Sequence, residues 1–287
     1  MEMPNVFIAL LVKQKATVLP LFLETLEAYD YPKDNIFLYI RTNNNTDNTE
    51  EMLEAWIQEN ANRYRGLIYD KSNVSENIER FGVHEWNGER FRVLGRIRQE
   101  SLRQCLETDA DYYFVVDIDN FLLPETLREL ISLELPIVAP LLRYAVAYGE
   151  NADNAHDADK LGVNMGRYYA NYHDKVDDYG SIVPEDPYYK ILDQKVRGLI
   201  LCDCVHCTYL IKREYIDKLT YLEDSDRWEY MVFSASARRN NVPQYLDNRR
   251  IYGVLTLTEN ERACRWWVNR LKDPVGREDR YRDPELV

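Results

Sequence analysis

Apolar positions recur with two periods along the first half of the chain. Val6–Val12 is a continuous apolar run, as in a strand buried on both faces. Residues 19–29 then place Leu19, Phe22, Leu23, Leu26 and Tyr29 at helical spacing. Residues 36–40 read as a second strand. Thr46 or Asp47 can cap the next helix, whose inner face is Met52, Leu53, Trp56 and Ile57. Residues 66–69 read as a third strand. Residues 91–106 read as a helix with Leu94, Ile97, Leu102 and Leu106 inward. Tyr112–Val116 is a fourth strand, 127–133 a helix and 137–142 a fifth strand. Strands separated by helices of this length imply right-handed crossovers and a mostly parallel sheet, hence an α/β fold. In such sheets ligands bind beyond the carboxyl ends of the strands. The loops after Val12, Ile40 and Val116 are all polar there.

Residues 143–197 break this rhythm. They carry tyrosines 144, 148, 168, 169, 172, 179, 188 and 189 and many aspartates, with no clean period. A long irregular segment inside a compact domain is usually functional. Beyond it, 208–211 reads as a strand, and 228–239 and 259–271 as helices. The expected layout is one unit over 1–272, with a charged tail over 273–287 that frays.

Composition narrows the classes. The chain has 287 residues, 45% hydrophobic, which suffices for a real core. Its formal charge of −13 disfavours a nucleic-acid partner. It does not exclude a small phosphate-bearing ligand, which meets only its own pocket. The first apolar run is too short to span a bilayer and lacks a basic segment before it. No other run reaches about 18 residues. The default expectation is a cytoplasmic chain with no membrane span. Five cysteines do not make a disulfide scaffold.

The sharpest chemistry follows the fourth strand, where Val115-Val116 runs into Asp117-Ile118-Asp119-Asn120. In extended backbone, residues two apart face the same side. Asp117 and Asp119 can then share one ion, and two such carboxylates repel unless a cation or proton intervenes. Hard divalent cations such as Mg²⁺ or Mn²⁺ take oxygen ligands and bridge to diphosphates. The bland reading is a pair of turn-forming aspartates at a strand end. Arg90, Arg92, Arg96, Arg98 and Arg103 crowd the preceding helix. Most suit a solvated face, but Arg98 is the one expected to reach a nucleotide or its diphosphate. Cys202-Asp203-Cys204-Val205-His206-Cys207 invites a zinc reading, although its spacing is wrong for a structural site. The alternatives are a buried histidine, or His206 completing the Asp117/Asp119 site.

Several of these segments together resemble a known family. They are Val6–Val12, the Leu-Pro-x-Phe-Leu helix ending in Asp-Tyr-Pro, and the run from Thr42 to Thr49. Arg90-Phe91, Arg98-Gln99, the segment from Asp117 to Leu122 and Ile137–Pro140 continue the match. So do Val205-His206-Cys207-Thr208-Tyr209, Val232-Phe233 and Tyr245-Leu246-Asp247-Asn248-Arg249. In this order they resemble the procollagen galactosyltransferases and their cerebral endothelial cell adhesion molecule relative.

The resemblance implies a GT-A, Rossmann-like fold with a nucleotide-sugar half over 1–142 and an acceptor half over 143–272. It implies a UDP-sugar donor, Mn²⁺ or Mg²⁺, and inverting transfer of a hexose to an acceptor hydroxyl, of which collagen hydroxylysine is the family's case. A protein or another glycan is the expected acceptor partner, and an oligomer is compatible with it. Asp117, Asp119 and His206 would be metal ligands, which favours that option over zinc. Lys13, Thr42 and Asp47 would border the nucleotide with Arg98. Glu229 stands where the family has the second of two acids, and is the candidate base. Trp228 replaces the first. A helix-surface carboxylate is the competing reading for Glu229.

Two departures stand out. The animal relatives carry a secretion signal and a retention tail, and neither is seen here. The tyrosine-rich stretch matches poorly. Two other classes therefore stay open: a non-catalytic UDP-sugar or glycan-binding module on the same fold, and a Mg²⁺-dependent nucleotidyltransferase.

Overall fold

A computed structural model describes residues 3–76, 86–144, 170–176, 186–256 and 261–272. Its centre is an eight-stranded sheet. In chain order its strands are β1 (Val6–Val12), β2 (Ile36–Thr42), β3 (Gly66–Asp70), β4 (Tyr112–Val116), β6 (Ile137–Pro140), β9 (Leu199–Cys202), β11 (Thr208–Lys212) and β12 (Gln244–Asp247). Their spatial order is β3-β2-β1-β4-β11-β6-β12-β9. Four of the seven ladders are parallel. β11 runs antiparallel between β4 and β6, and β9 closes one edge antiparallel to β12.

The continuous apolar reading of β1 has a simple cause. Val6, Ile8, Leu10 and Val12 pack into the core on one face of the sheet, and Phe7 and Ala9 into the core on the other. On the first face lie α1 (Leu19–Glu27), α2 (Thr49–Asn60), α4 (Thr126–Ser132) and α7 (Glu261–Lys272). On the second lie α3 (Gly88–Leu106), α5 (Asp186–Leu192) and α6 (Glu229–Arg239). Across that second face Phe7 stacks between Tyr39 and Tyr113, with ring centroids 5.9 and 6.0 Å away.

Three sequence expectations shift. α2 begins at Thr49, with Asn48 in the capping position but making no side-chain cap. Asp47 Oδ1 instead accepts from the Thr49 N–H at 3.1 Å. The fifth strand ends at Pro140, which has no N–H to continue a ladder, and the chain changes sheets. Leu142–Tyr144 (β7) joins β5 (Asn120–Leu122) and β13 (Gly253–Leu255) in a separate three-stranded sheet. The inner face of α3 is also rotated. Phe91, Val93, Gly95, Arg98, Ser101, Leu102 and Cys105 are buried there, and of the expected four only Leu102 is. Polar residues turn inward because they have partners: Ser101 Oγ lies 2.6 Å from the Tyr113 hydroxyl.

The described part of the irregular stretch adds Tyr172–His173 (β8), paired with Cys204–Val205 (β10), and α5. Tyr172 and Tyr188 stack at 5.1 Å inside the core, where the Tyr172 hydroxyl donates to the Tyr188 carbonyl. These two are core fillers rather than recognition surface. Tyr148, Tyr168, Tyr169, Tyr179 and the tail from Asp273 lie outside the described residues. Among the described residues no helix is long and apolar enough to cross a membrane.

Candidate active site at the carboxyl end of β4

Three loops converge where β1, β2 and β4 end. The loop after β1 is locked to the loop after β2 through Gln14. Its side chain donates to Thr46 Oγ1 at 2.6 Å and accepts from the Thr46 N–H at 2.7 Å. Gln14 holds φ at 52°, in the left-handed region. Asp47 closes the same joint, its Oδ2 accepting from the Ala16 N–H at 3.1 Å. Thr42 is buried, and its hydroxyl accepts from Asn45 at 2.5 Å. Asp47 thus ties the two loops together, and Thr42 braces the second. Lys13 lies half-buried at the start of the first loop.

Two residues further on, Lys15 brings its ammonium to 3.6 Å from Asp119 Oδ2. The sequence reading named Lys13 and missed Lys15. Periodicity has no signal for it, because which loop residue points inward depends on the Gln14 turn. Burial pushes the Asp119 carboxyl up to about 6; Lys15 opposes this and the Asp117 charge adds to it.

Asp117 faces a different cation. Arg98, on α3, donates from Nη2 to Asp117 Oδ1 at 2.8 Å, and its Nε lies 3.4 Å from Glu229 Oε1. Burial works against the guanidinium charge, but Asp117 and Glu229 outweigh it and hold its pKa well above the ordinary value. Glu229 opens α6 and is only 5% exposed. Its first-turn position suits a negative charge. Burial nevertheless raises its pKa, with Arg98 acting the other way. Among the described residues its Oε2 has no hydrogen-bond partner. Gly95 makes this contact between α3 and its neighbours possible. A Cβ there would stand 2.7 Å from the Tyr221 carbonyl oxygen and 3.6 Å from Glu229 Cβ.

His206 reaches the same corner through the backbone. Thr208 is opposite Val116 in the β4–β11 ladder, so His206 and Cys207 lie just past the strand end. The Cys207 carbonyl accepts from the Asp117 N–H at 3.1 Å. The imidazole is buried between His173, at a centroid distance of 5.2 Å, and Tyr230, at 4.6 Å. Burial pushes its pKa well below the usual histidine range, with His173 and Arg98 acting the same way. Cys202 and Cys204 are buried free thiols. Among the described residues, no three His, Cys, Asp or Glu side chains gather closely enough to hold a metal ion. The structure therefore brings together Asp117, Arg98 and Glu229, with Asp119 and Lys15 beside them and His206 at the same strand end.

Known proteins share both sequence and fold with this chain. The family model described as glycosyltransferase family 25, N-terminal domain, matches residues 3–155. Procollagen galactosyltransferase 2 of Mus musculus is 30% identical over 265 residues, covering 89% of this chain and 39% of that protein. A glycosyltransferase 25 family member of Anopheles gambiae is 30% identical over 267 residues, covering 88% and 41%. The chain spans about two fifths of the length of these relatives. Among solved structures, S. aureus TarS 1-349 in complex with UDP-GlcNAc aligns with a TM-score of 0.53 at 13% identity, covering 90% of this chain and 60% of that one. That likeness is one of fold, and the fold is GT-A.

Proposed function

The chain belongs to glycosyltransferase family 25, and on that premise we propose that it transfers a hexose, galactose or glucose, from a UDP-sugar to an acceptor hydroxyl with inversion. The nucleotide-sugar is assigned to residues 1–142 and the acceptor to 143–272. A collagen-like protein is the acceptor suggested by the relatives' names, and hydroxylysine is the acceptor residue that the family resemblance implies. The observation that carries the reading is the cluster beyond β4: paired carboxylates, a lysine against one of them, and a buried arginine joining the other to Glu229.

The donor set suits a divalent cation. Asp117 and Asp119 offer hard oxygens. Asp117 and Asp119 would hold Mn²⁺ or Mg²⁺; His206, the third ligand that the family resemblance implies, lies at the same strand end but does not gather with them among the described residues. When bound, the ion would neutralise charge on the departing diphosphate. Lys15 supplies a second cation at the same place.

The remaining steps belong to side chains. The acceptor oxygen attacks the anomeric carbon, and the bond to the UDP oxygen breaks with its electron pair. The acceptor proton passes to Glu229 Oε2, the carboxylate oxygen that lacks a partner among the described residues. Arg98 holds the other oxygen and fixes the carboxylate's orientation.

Binding and slow hydrolysis of UDP-galactose and UDP-glucose, with and without Mn²⁺, test the assignment. No binding of either donor, together with no effect of Asp119→Ala, would sink it. A second reading, a non-catalytic UDP-sugar or glycan-binding module, is favoured by Trp228 standing in place of an acid beside Glu229. Donor binding without transfer to any acceptor would select it.

A further inference from the structure

One surface feature beside Glu229 plays no part in donor chemistry. Trp86 is 50% exposed and Trp228 is 38% exposed, although large aromatic side chains gain most from burial. The two indoles lie together, with centroids 5.5 Å apart and planes tilted by 38°. They are seated on Phe91, which stacks under Trp86 at 6.2 Å and lies 4.3 Å from Trp228. Tyr230 extends the same aromatic run inward, at 5.6 Å from Trp228. Scattered exposed apolar residues need no explanation, but a supported, contiguous pair does.

The position of this face gives it meaning. Trp228 is the N-cap of α6 and directly precedes Glu229. Its carbonyl accepts from the Met231 and Val232 N–H groups at 3.0 and 3.1 Å, so the helix fixes where it sits. The Arg90 guanidinium stands over the Trp86 ring, 5.9 Å from its centroid. Asp226, two residues before Trp228, pairs with Arg92 at 2.5 Å.

We propose that the Trp86–Trp228 face is an acceptor subsite that stacks one pyranose ring. The apolar C–H face of a sugar lies on the exposed part of the indoles. The inference rests on the glycosyltransferase reading, since it takes the Glu229 end of the crevice as the acceptor side. Spacing separates a sugar from a proline-rich segment. Polyproline helices repeat a face about every 9 Å, so they need two slots that far apart. Indoles 5.5 Å apart, with planes tilted by 38°, offer one aromatic patch rather than two separated slots.

Saturation-transfer NMR on the full chain tests this, using methyl β-D-galactopyranoside and methyl β-D-glucopyranoside with irradiation of aromatic protons. The expected result is transfer to ring C–H protons on one face of at least one glycoside. Trp86→Ala and Trp228→Ala should each weaken binding by about tenfold. Trp86 is half exposed, so its loss leaves the core intact; Trp228→Phe keeps an aromatic plane and should lose less. Absence of transfer to both glycosides, or equal transfer in the wild type and Trp86→Ala, would overturn the proposal. Transfer to a hexaproline peptide and to neither glycoside would also overturn it, in favour of a polypeptide surface. UDP-galactose binding by the wild-type chain, measured calorimetrically, reads the glycosyltransferase assignment separately. Donor binding without sugar stacking removes only the subsite, and sugar stacking without donor binding removes that assignment and with it the acceptor role of this face, leaving a sugar-binding surface.

Discussion

Arg98→Ala should destabilise the protein strongly at pH 8 and far less at pH 5. Arg98 and Glu229 side chains are 8% and 5% exposed, and Asp117 retains 26%. Removing the guanidinium leaves Glu229 either charged and buried or protonated. Protonation caps the cost. Against an ordinary pKa of 4.5, holding the neutral acid at pH 8 costs about 1.36 × 3.5, or ~4.8 kcal/mol. At pH 5 the same term is about 0.7 kcal/mol. Loss of one partner from a buried pair ordinarily costs about 3–5 kcal/mol, which agrees with the cap. An unfolding entropy of about 2.1 cal/mol/K per residue gives ~0.6 kcal/mol/K for this length, so the loss at pH 8 corresponds to about 5–8 °C in Tm.

The sign follows from linkage. In the variant the folded pKa of Glu229 lies above the unfolded value, so the folded state holds the extra proton. Glu229 is already raised in the wild type, and losing Arg98 raises it further, so stability relative to wild type falls as pH rises through the wild-type folded pKa and levels off above the variant's. Urea denaturation of both proteins at pH 5 and pH 8 measures the difference, and groups the mutation does not touch cancel. Arg98→Met with Glu229→Gln removes both charges and should recover most of the loss. A penalty at pH 8 below about 1 kcal/mol, or one that does not shrink at pH 5, would mean that Arg98 compensates no buried charge.

Four further outcomes follow from the same structure. Asp119→Ala should lower Mn²⁺-dependent UDP-hexose hydrolysis on the order of a hundredfold or more, read by UDP release. Glu229→Gln should reduce transfer by roughly 10²–10⁴ while donor affinity by calorimetry stays close to wild type, because its oxygen serves the acceptor. Asp247 is fully buried and accepts from Arg249 Nη2 at 2.7 Å and the Tyr252 hydroxyl at 2.6 Å. Burial would raise its pKa, but these bonds hold it below the usual range; Asp247→Ala should cost about 2–4 kcal/mol at pH 7 and less as pH falls through the folded pKa, by urea titration. Gly95→Ala gains about 1 kcal/mol of helix propensity but drives Cβ to 2.7 Å from the Tyr221 backbone oxygen, so the net effect in thermal melts should be destabilising by about 1–2 kcal/mol.

The elements that could be read from sequence were those whose burial is apolar on a fixed period. β1 and β4 show every side chain buried or nearly so, and their composition says as much. β5, β7, β8, β9, β10, β12 and β13 were not anticipated, and each is four residues or fewer. A run that short contains at most two alternations, too few to distinguish strand from loop. β9 is the clearest case: Leu199 and Leu201 are exposed on an edge strand, so its pattern is inverted relative to a core strand. The rotation of α3 has a related cause. Periodicity assumes that apolar residues face inward, yet two of this helix's inward positions are Arg98 and Ser101.

That same failure locates the site. A helix buries an arginine only where carboxylates meet it, and here those are Asp117 on one element and Glu229 on another. The two aspartates stood out in sequence because they follow a buried strand, but β4 ends at Val116 and they lie in a turn rather than in extended backbone, the Asn120 N–H donating to the Asp117 carbonyl at 2.9 Å. Glu229 was legible only as one acid near the start of a helix, and Lys15 not at all. What joins them is tertiary: the Gln14 turn aims Lys15, Gly95 lets α3 approach Glu229, and the β4–β11 register brings His206 to the strand end. None of these three has a local signature. Each would be exposed by a single substitution, and Gly95→Ala is the most informative. It leaves every charged group in place, so a loss of transfer larger than its loss of stability would mean that the distance from α3 to Glu229, rather than the presence of the charges, sets the activity.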